Sequence, residues 1–264
     1  MSQPFFDSAS PRLDETVMSG MLCAFDFDGT LAPIVKEPDR VAMPAPVLRR
    51  LIKLRDYAPV AIITGRSVTD VQRYLEFQPD FIVGNHGLEG VPGWDHHREE
   101  YSRLCESWKQ ALTDALKDSK RFDSAIWIEH KAYSLSVHYR MARDRARAER
   151  ELTELFSALS PQAHVITGKC VFNLLPPHAP NKGLALEHLC QVSGAPSAIY
   201  VGDDVTDEDV FRLRHRELIT VRIERAADSA AEFFLHHRLD MVQLLDELIK
   251  RLSVARSKHV MKAY

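Results

Sequence analysis

Residues 22–31, LCAFDFDGTL, decide the fold. The first four form a short apolar run that is typical of a buried strand in a parallel sheet, and Gly29 predicts a sharp turn soon after it. Open α/β sheets bind ligands beyond the carboxyl ends of such strands, which places Asp26 and Asp28 in a candidate active site. Because side chains alternate along a strand, the two carboxylates should point the same way. Taken alone, the pair is also consistent with a metal site or a solvated turn.

The same succession of strand, turn and helix recurs on both sides of a central segment. Amphipathic helices are predicted between the strands, and the first of them begins after Pro44. This repetition predicts an α/β protein with a doubly wound, Rossmann-like parallel sheet. The further strands of that sheet are predicted at 60–63, 81–83, 198–201 and 218–222.

The central segment has a different pattern. Two helical stretches, 99–117 and 142–159, are each followed by two segments that alternate like antiparallel strands. That order predicts a small α+β domain in which helices cover one face of a sheet. We therefore expect a catalytic core formed by residues 1–97 and 178–264, interrupted by a cap domain at 98–177. The strands of the cap are predicted at 125–128, 133–139, 164–167 and 171–175.

Composition argues against several classes of protein. The chain has 264 residues, 45% of them hydrophobic, and a net charge of −3, whereas nucleic-acid binding needs a clustered basic surface. Its four cysteines are widely spaced and form no C-x-x-C pair, which favours a reducing compartment over a disulfide framework. The first twenty residues lack the apolar core of a signal peptide, and no long apolar run is present. We expect a soluble, cytoplasmic monomer with a small-molecule substrate.

Polar residues also follow other predicted strands. Thr64 and Gly65 come after one strand, Asp203 and Asp204 after another, and Lys182 opens a helix between them. Each has an ordinary explanation by itself, as a helix cap or a solvated lysine. Together, carboxylates, a hydroxyl and a cation at one sheet edge fit phosphoryl transfer. That reaction needs in-line attack and neutralisation of charge on the phosphoryl oxygens.

A hard cation would relieve the repulsion between these carboxylates. Mg²⁺ prefers oxygen ligands, and Asp26, Asp203 and Asp204 are candidate ligands for it. Lys182 would neutralise the phosphate, and Thr64 with nearby backbone N–H groups would bind its oxygens. One aspartate of the D-x-D pair can then attack phosphorus while the other transfers the proton.

Four motifs, DFDGTL, IITGR, PNKG and GDDVTDED, lie in the order found in the haloacid dehalogenase (HAD) superfamily of phosphatases. The chain resembles that superfamily over nearly its whole length, and its inserted segment is similar to the C2-type cap of the sugar-phosphatase branch. The resemblance implies a Mg²⁺-dependent phosphatase in which Asp26 forms an aspartyl-phosphate and Asp28 is the general acid/base. The other roles that it implies are phosphate binding by Thr64, Gly65 and Lys182, metal binding by Asp26, Asp203, Asp204 and the carbonyl of Asp28, and support from Asp207.

Further segments resemble the branch that hydrolyses trehalose 6-phosphate. They are GDDVTDED itself, GNHGLE at 84–89 and, in the cap, EHK at 129–131, HYR at 138–140 and GK at 168–169. The resemblance implies that the chain releases trehalose and phosphate as the final step of trehalose biosynthesis. The residues that it implies for substrate binding are Arg66, Asn85, His86, Glu129, Lys131, His138, Arg140, Lys169 and Asn173.

One cap position departs from that branch. Asn173 stands where the branch usually has glutamate, and asparagine is shorter and uncharged while keeping one acceptor. The position bears on the sugar and not on the phosphate chemistry. A phosphatase for another sugar phosphate, of the sucrose, glucosylglycerate or mannosylglycerate type, therefore stays open. A receiver-like phosphoaspartate switch is a further alternative, and Asp28 and the inserted cap count against it.

Overall fold

A computed structural model describes residues 2–35, 40–94 and 97–262, with side chains as far as residue 257. Its strands are β1 (Gln3–Pro4), β2 (Leu22–Phe25), β3 (Val60–Ile63), β4 (Phe81–Val83), β5 (Trp127–His130), β6 (Leu135–His138), β7 (His164–Gly168), β8 (Val171–Leu175), β9 (Ala198–Gly202), β10 (Leu218–Ile223) and β11 (Phe233–Leu235). Its α-helices are α1 (Phe5–Ser8), α2 (Ser10–Thr16), α3 (Ala45–Leu54), α4 (Val68–Gln72), α5 (Arg98–Ala115), α6 (Arg145–Ser157), α7 (Lys182–Ser193), α8 (Glu208–Phe211) and α9 (Met241–Lys262).

The chain divides into two units, one formed by Met1–Pro92 with Asn181–Tyr264 and the other by Gly93–Pro180. Both ends of the chain thus belong to the first unit, and the second is an insertion in it. The boundaries drawn from the sequence, at 97/98 and 177/178, stay a prediction.

The first unit contains a seven-stranded sheet in the order β1-β11-β10-β9-β2-β3-β4, and all of its pairings are parallel. The residues of β2 and β3 are fully buried. Helices cover both faces of such a sheet, which is why these strands read as continuous apolar runs and not as alternating ones. The parallel α/β core predicted from the sequence is confirmed.

The helix α3 shows how the core is closed on one side. Its buried residues Val47, Leu51 and Leu54 lie on one face, and the helix packs against α9. The sequence patterns did not predict α9, nor β1 and β11. The two strands have two and three residues, which is too short for a periodic pattern to be recognised.

The second unit contains an antiparallel sheet in the order β5-β6-β8-β7. Its core combines Trp108 of α5 and Leu152 of α6 with inward-facing strand residues such as Val137 and Phe172. The strand β5 begins two residues later than the pattern predicts, because Asp123 accepts a hydrogen bond from the Ala125 N–H (2.9 Å) and keeps that segment in a turn. The strand β6 is likewise shorter than predicted.

No helix in the described part of the chain combines the length and the apolar character needed to cross a membrane.

Replacing Leu51 by alanine should lower the free energy of unfolding by about 2–5 kcal/mol, because its fully buried side chain would leave a cavity in the core. The neighbouring Ile52 is 49% exposed, so Ile52→Ala should cost less than about 1 kcal/mol. Urea unfolding followed by circular dichroism measures both values. Equal losses would contradict the one-sided burial of α3.

Candidate active site

Four adjacent parallel strands bring the predicted residues to one sheet edge. In the order β9-β2-β3-β4, the residues that directly follow the strands are Asp203, Asp26, Thr64 and Gly84. Asp26 is 4% exposed and Thr64 1% exposed, so the edge is a buried site and not a solvated surface. The position of these residues follows from the strand order alone, because the carboxyl ends of neighbouring parallel strands lie side by side.

The buried ammonium group of Lys182 joins two of the aspartates. Its Nζ donates to Oδ1 of Asp26 (2.9 Å) and to Oδ1 of Asp207 (2.8 Å). Lys182 is the first residue of α7, and Asn181 caps that helix by accepting a hydrogen bond from the Leu184 N–H (2.9 Å). The cap fixes the start of the helix and thereby the place where the lysine enters the core.

Asp207 is fully buried and accepts four hydrogen bonds from the chain. Its Oδ1 accepts from Lys182 and from the Tyr200 hydroxyl (2.6 Å), and its Oδ2 accepts from the N–H groups of Asp203 and Asp204 (2.8 Å each). A carboxylate has about four lone-pair positions, so these bonds use its full capacity. Asp207 therefore fixes both the lysine and the turn that follows β9. Sequence reasoning missed Tyr200, because it lies in an apolar run that reads as core.

Burial and charge have opposite effects on the pKa values in this group. Burial raises the pKa of the Asp26 carboxyl, Lys182 opposes the rise, and Asp207 and Asp203 add to it. Burial would lower the pKa of the Lys182 ammonium, but Asp207 and Asp26 outweigh it and raise that pKa. Burial, followed by the charge of Asp207, raises the pKa of the Tyr200 phenol. Lys182 therefore stays charged at neutral pH, and Tyr200 stays a hydrogen-bond donor.

Carboxylate oxygens of Asp26, Asp203 and Asp207 all lie within 4.8 Å of one another. When ionised, the three side chains carry three negative charges against the one positive charge of Lys182, so a divalent cation would balance the group. Carboxylate oxygens are also the ligands that Mg²⁺ prefers, and the residues fit such an ion. Asp207 contributes negative charge to this group, but its two oxygens already accept four hydrogen bonds from the chain. Metal binding by Asp204 stays a prediction.

Asp204 contributes its backbone to the site. Its N–H donates to Asp207, and its carbonyl accepts from Nη1 of Arg222 at 3.2 Å. The same Arg222 nitrogen lies 3.2 Å from Oε1 of Glu208, whose other oxygen accepts from the Ala230 N–H. These contacts hold the turn after β9 from its outer side.

The residues that follow β3 form a loop supported by the segment 84–89. The Thr64 hydroxyl accepts from the Arg66 N–H (3.2 Å), and the Thr64 carbonyl accepts from the His86 N–H (3.0 Å). The His86 ring lies over Gly65 so closely that a Cβ atom there would be 2.4 Å from it. Any side chain at position 65 would require the His86 ring to move, which accounts for the glycine of the TGR motif while His86 keeps this position.

Asn85 is buried and has a structural partner. Its side-chain amide donates to Oε2 of Glu89 (2.7 Å), which also accepts from the Val68 N–H at the start of α4 (2.9 Å). Asn85 and His86 both have left-handed backbone angles, with φ of 50° and 59°. The GNHGLE segment is thus a closed loop that joins β4 to the helix after the TGR motif.

Asp28, which follows Asp26 by two residues, is held by an arginine. The Nε and Nη2 atoms of Arg66 donate to its two carboxylate oxygens at 2.6 and 2.9 Å. The structure thus pairs Arg66, which the family resemblance suggested for substrate binding, with the second aspartate of the D-x-D pair.

One face of the antiparallel sheet in the second unit is polar. The register places Trp127 opposite His138, and Ser136 opposite both Glu129 and Asn173. Nε2 of His138 lies 2.9 Å from Oε2 of Glu129, and the Ser136 hydroxyl donates to Oδ1 of Asn173 (2.6 Å). The alternate strand residues form the apolar core on the other face. Sequence reasoning missed Trp127, whose ring stacks on His138 at 4.0 Å and is half-exposed.

Three other predicted residues of this unit lie in turns. Lys131 follows β5, and its Nζ is 3.9 Å from Oε2 of Glu129. Arg140 follows β6 and donates to the carbonyl of Lys169 (3.1 Å), which lies in the turn between β7 and β8. Arg140 thus lies beyond the end of β6, and its contact joins two turns.

Residues 24–237 match the family model described as trehalose-phosphatase, which is most of the chain and includes every motif named above. The chain belongs to the trehalose-phosphatase family. A relative in Mycobacterium bovis, named trehalose-phosphate phosphatase, is 34% identical over 248 residues, covering 88% of this chain and 62% of that protein. The chain thus spans less than two thirds of the length of that relative.

Solved structures agree with this membership at the level of the fold. The C-terminal domain of the trehalose-6-phosphate phosphatase of C. albicans superposes with a TM-score of 0.72 at 20% identity, covering 95% of this chain and 98% of that one. A HAD phosphatase from Bacteroides thetaiotaomicron gives a TM-score of 0.54 at 13% identity, covering 87% and 95%. The HAD fold, predicted from four motifs and their order, and the inserted α+β segment, predicted from its helix and strand pattern, are confirmed for this trehalose-phosphatase family member.

Gly29→Ala should destabilise the protein more than Gly20→Ala, although both glycines have left-handed backbone angles, with φ of +83° and +86°. A Cβ atom at Gly29 would lie 2.2 Å from Oδ2 of Asp203, whereas at Gly20 its nearest neighbour would be Pro196 at 3.5 Å. The shared backbone cost is about 1–2 kcal/mol, and the collision adds to it only at Gly29. Urea unfolding of both variants tests this, and equal losses would contradict the close approach of Asp203.

Proposed function

We propose that this chain hydrolyses trehalose 6-phosphate to trehalose and inorganic phosphate, with Mg²⁺ as cofactor, as the last step of trehalose biosynthesis. The observation that carries the proposal is the buried Asp26, which lies 2.9 Å from Lys182 and beside Asp203 at the carboxyl end of β2. A nucleophilic carboxylate, a fixed cation and a second carboxylate are what phosphoryl transfer requires. The substrate comes from membership of the trehalose-phosphatase family.

In the first step, a carboxylate oxygen of Asp26 attacks phosphorus and the bond from phosphorus to the sugar oxygen breaks. Asp28 gives its proton to the leaving sugar oxygen, so trehalose departs as an alcohol and an aspartyl-phosphate remains on Asp26. The Lys182 ammonium neutralises charge on the phosphoryl oxygens. Thr64 and the N–H of Gly65 donate hydrogen bonds to the same oxygens.

In the second step, Asp28 takes a proton from a water molecule. The oxygen of that water attacks phosphorus, the bond to Asp26 breaks, and phosphate is released. The two aspartates of the D-x-D pair therefore have separate roles. Asp26 carries the phosphoryl group between the two steps, and Asp28 transfers a proton in each step.

Asp26, Asp203 and the backbone carbonyl of Asp28 are the proposed ligands of Mg²⁺. The ion supplies positive charge that lowers the repulsion between Asp26 and the phosphate. Because Asp207 already accepts four hydrogen bonds, we assign it to the positioning of Lys182 and of the 203–204 turn. Asp204 lies in that turn and supports the ligand next to it.

The polar face and the adjoining turns of the second unit are proposed to recognise the sugar. Carboxylate, ammonium, imidazole, guanidinium and amide groups lie there together, which suits a ligand whose hydroxyls both donate and accept. Asn173 offers an amide where a carboxylate is usual, and its Oδ1 already accepts from Ser136. The residues proposed for this role are Glu129, Lys131, His138, Arg140, Lys169 and Asn173, and the core residue proposed with them is His86.

Asp26→Asn should reduce phosphate release from trehalose 6-phosphate by at least about a thousandfold, because an amide is a very weak nucleophile. Asp246→Asn is the matched control. Asp246 is an exposed carboxylate that pairs with Arg50 (2.8 Å), and it is distant in the sequence from Asp26. A phosphate-release assay with Mg²⁺ measures both variants, and circular dichroism checks their folding. Full turnover by a folded Asp26→Asn would refute the mechanism.

The substrate is tested with the wild-type chain and a panel of sugar phosphates. We expect the highest kcat/KM for trehalose 6-phosphate, with sucrose 6-phosphate, glucosylglycerate phosphate and glucose 6-phosphate below it. Activity should be lost in EDTA and restored by Mg²⁺. A higher kcat/KM for another sugar phosphate would refute trehalose 6-phosphate as the substrate and favour a phosphatase for that sugar. The proposed phosphate chemistry would not be affected.

Lys131→Ala should raise KM for trehalose 6-phosphate by about 10-fold or more, because a charged hydrogen bond contributes roughly 1.5–3 kcal/mol. Lys117→Ala is the control, since Lys117 is a 71% exposed lysine of the same unit that pairs with Asp114. Steady-state kinetics separate KM from kcat for both. An unchanged KM in Lys131→Ala would make the polar face an ordinary surface.

A further inference from the structure

The general acid/base of the proposed mechanism is held by both of its oxygens. Arg66 donates through Nε to Oδ2 of Asp28 (2.6 Å) and through Nη2 to Oδ1 (2.9 Å). Such a two-pronged pair fixes the plane of the carboxylate as well as its position. The side chain of Asp28 is 36% exposed and that of Arg66 only 11%, so the arginine supports the carboxylate from the protein side.

Arg66 is itself anchored at its other nitrogen and at the face of its guanidinium group. Its Nη1 donates to Oδ2 of Asp70 in α4 (2.7 Å). Its Cζ lies 4.8 Å from the centre of the Tyr74 ring and 5.8 Å from that of Phe27, within the range of cation–π attraction. The three donor nitrogens are thus directed at Asp28 and Asp70.

We propose that Arg66 is a positioning residue that sets the orientation of the Asp28 carboxylate for proton transfer, and that Asp70 and Tyr74 set the orientation of Arg66. This rests on the proposed phosphatase function and replaces the substrate-binding role that the resemblance suggested for Arg66. Proton transfer requires the protonated oxygen of Asp28 to point at the sugar oxygen in the first step and its lone pair to point at water in the second, and a misdirected group loses much of its effect. A planar guanidinium can impose that direction, whereas a lysine ammonium cannot.

The central test is a double-mutant cycle with Arg66→Met and Asp28→Ala, assayed on trehalose 6-phosphate with Mg²⁺. Arg66→Met alone should lower kcat by about 10- to 100-fold and change KM by less than about threefold. In the Asp28→Ala background, the same substitution should have no further effect on kcat, because the group through which it acts is gone. Arg66→Lys should recover less than a tenth of the lost kcat.

Arg73→Met is the matched control. Arg73 also pairs with Asp70, and its Cζ lies 5.8 Å from the centre of the Tyr74 ring, but its side chain is 64% exposed, whereas that of Arg66 is 11% exposed against Asp28. Its substitution should leave kcat within about twofold of the wild type. Asp70→Asn, which weakens the anchor of Arg66, should lower kcat by less than Arg66→Met and should also lose its effect in the Asp28→Ala background.

The outcomes separate the inference from the function on which it rests. A wild-type chain that hydrolyses no sugar phosphate refutes the function. An active wild type in which Arg66→Met raises KM, or lowers kcat equally with and without Asp28, refutes the positioning role and returns Arg66 to substrate binding. A crystal structure gives a readout without turnover, since Arg66→Met should show Asp28 in more than one orientation. A single, unchanged orientation of Asp28 in that variant overturns the inference, and Asp70→Asn serves if Arg66→Met does not fold.

Discussion

The ammonium group of Lys182 lies between two buried aspartates, and the geometry of the core site depends on it. A lysine that is 2% exposed is stable only if its charge is compensated, and Asp26 and Asp207 compensate it at 2.9 and 2.8 Å. Removal of either carboxylate would leave a buried charge with too few partners. Through these two contacts, Lys182 at the start of α7 connects Asp26, which follows β2, with Asp207, which follows β9. The three segments are far apart in the sequence.

A second set of contacts keeps the site rigid from behind. Asp207 accepts hydrogen bonds from Tyr200, Asp203 and Asp204 in addition to Lys182. The 84–89 loop supports the residues after β3, because His86 and Glu89 hydrogen-bond to that segment. Arg66 fixes Asp28 in the same way. The groups proposed to react are thus each held by a residue that does not react, which is how an active site keeps its geometry without reorganising during the reaction.

Local sequence patterns predicted most of the core strands and the site residues that follow them. The strands β2, β3 and β4 were placed correctly, because buried parallel strands are continuous apolar runs. Its errors lie where a local pattern is weak or misleading. Side-chain hydrogen bonding by Asp123 delayed the start of β5, and β1 and β11 were too short to be recognised. The predicted site residues that follow strands were found at one sheet edge, because the parallel order β9-β2-β3-β4 leaves no other arrangement.

The sequence by itself determined the HAD fold, the inserted α+β segment and the identity of the aspartates, threonine and lysine at the sheet edge. It could do so because motif order and strand periodicity are local properties of the chain. Only the tertiary structure decided the hydrogen-bond partners. Tyr200 and Lys182 both donate to Asp207, Asn85 donates to Glu89, and Arg66 donates to Asp28. The contacts of Lys182 and Arg66 join elements that are distant in the sequence, and no spacing in the sequence specifies which donor meets which acceptor once the chain has packed.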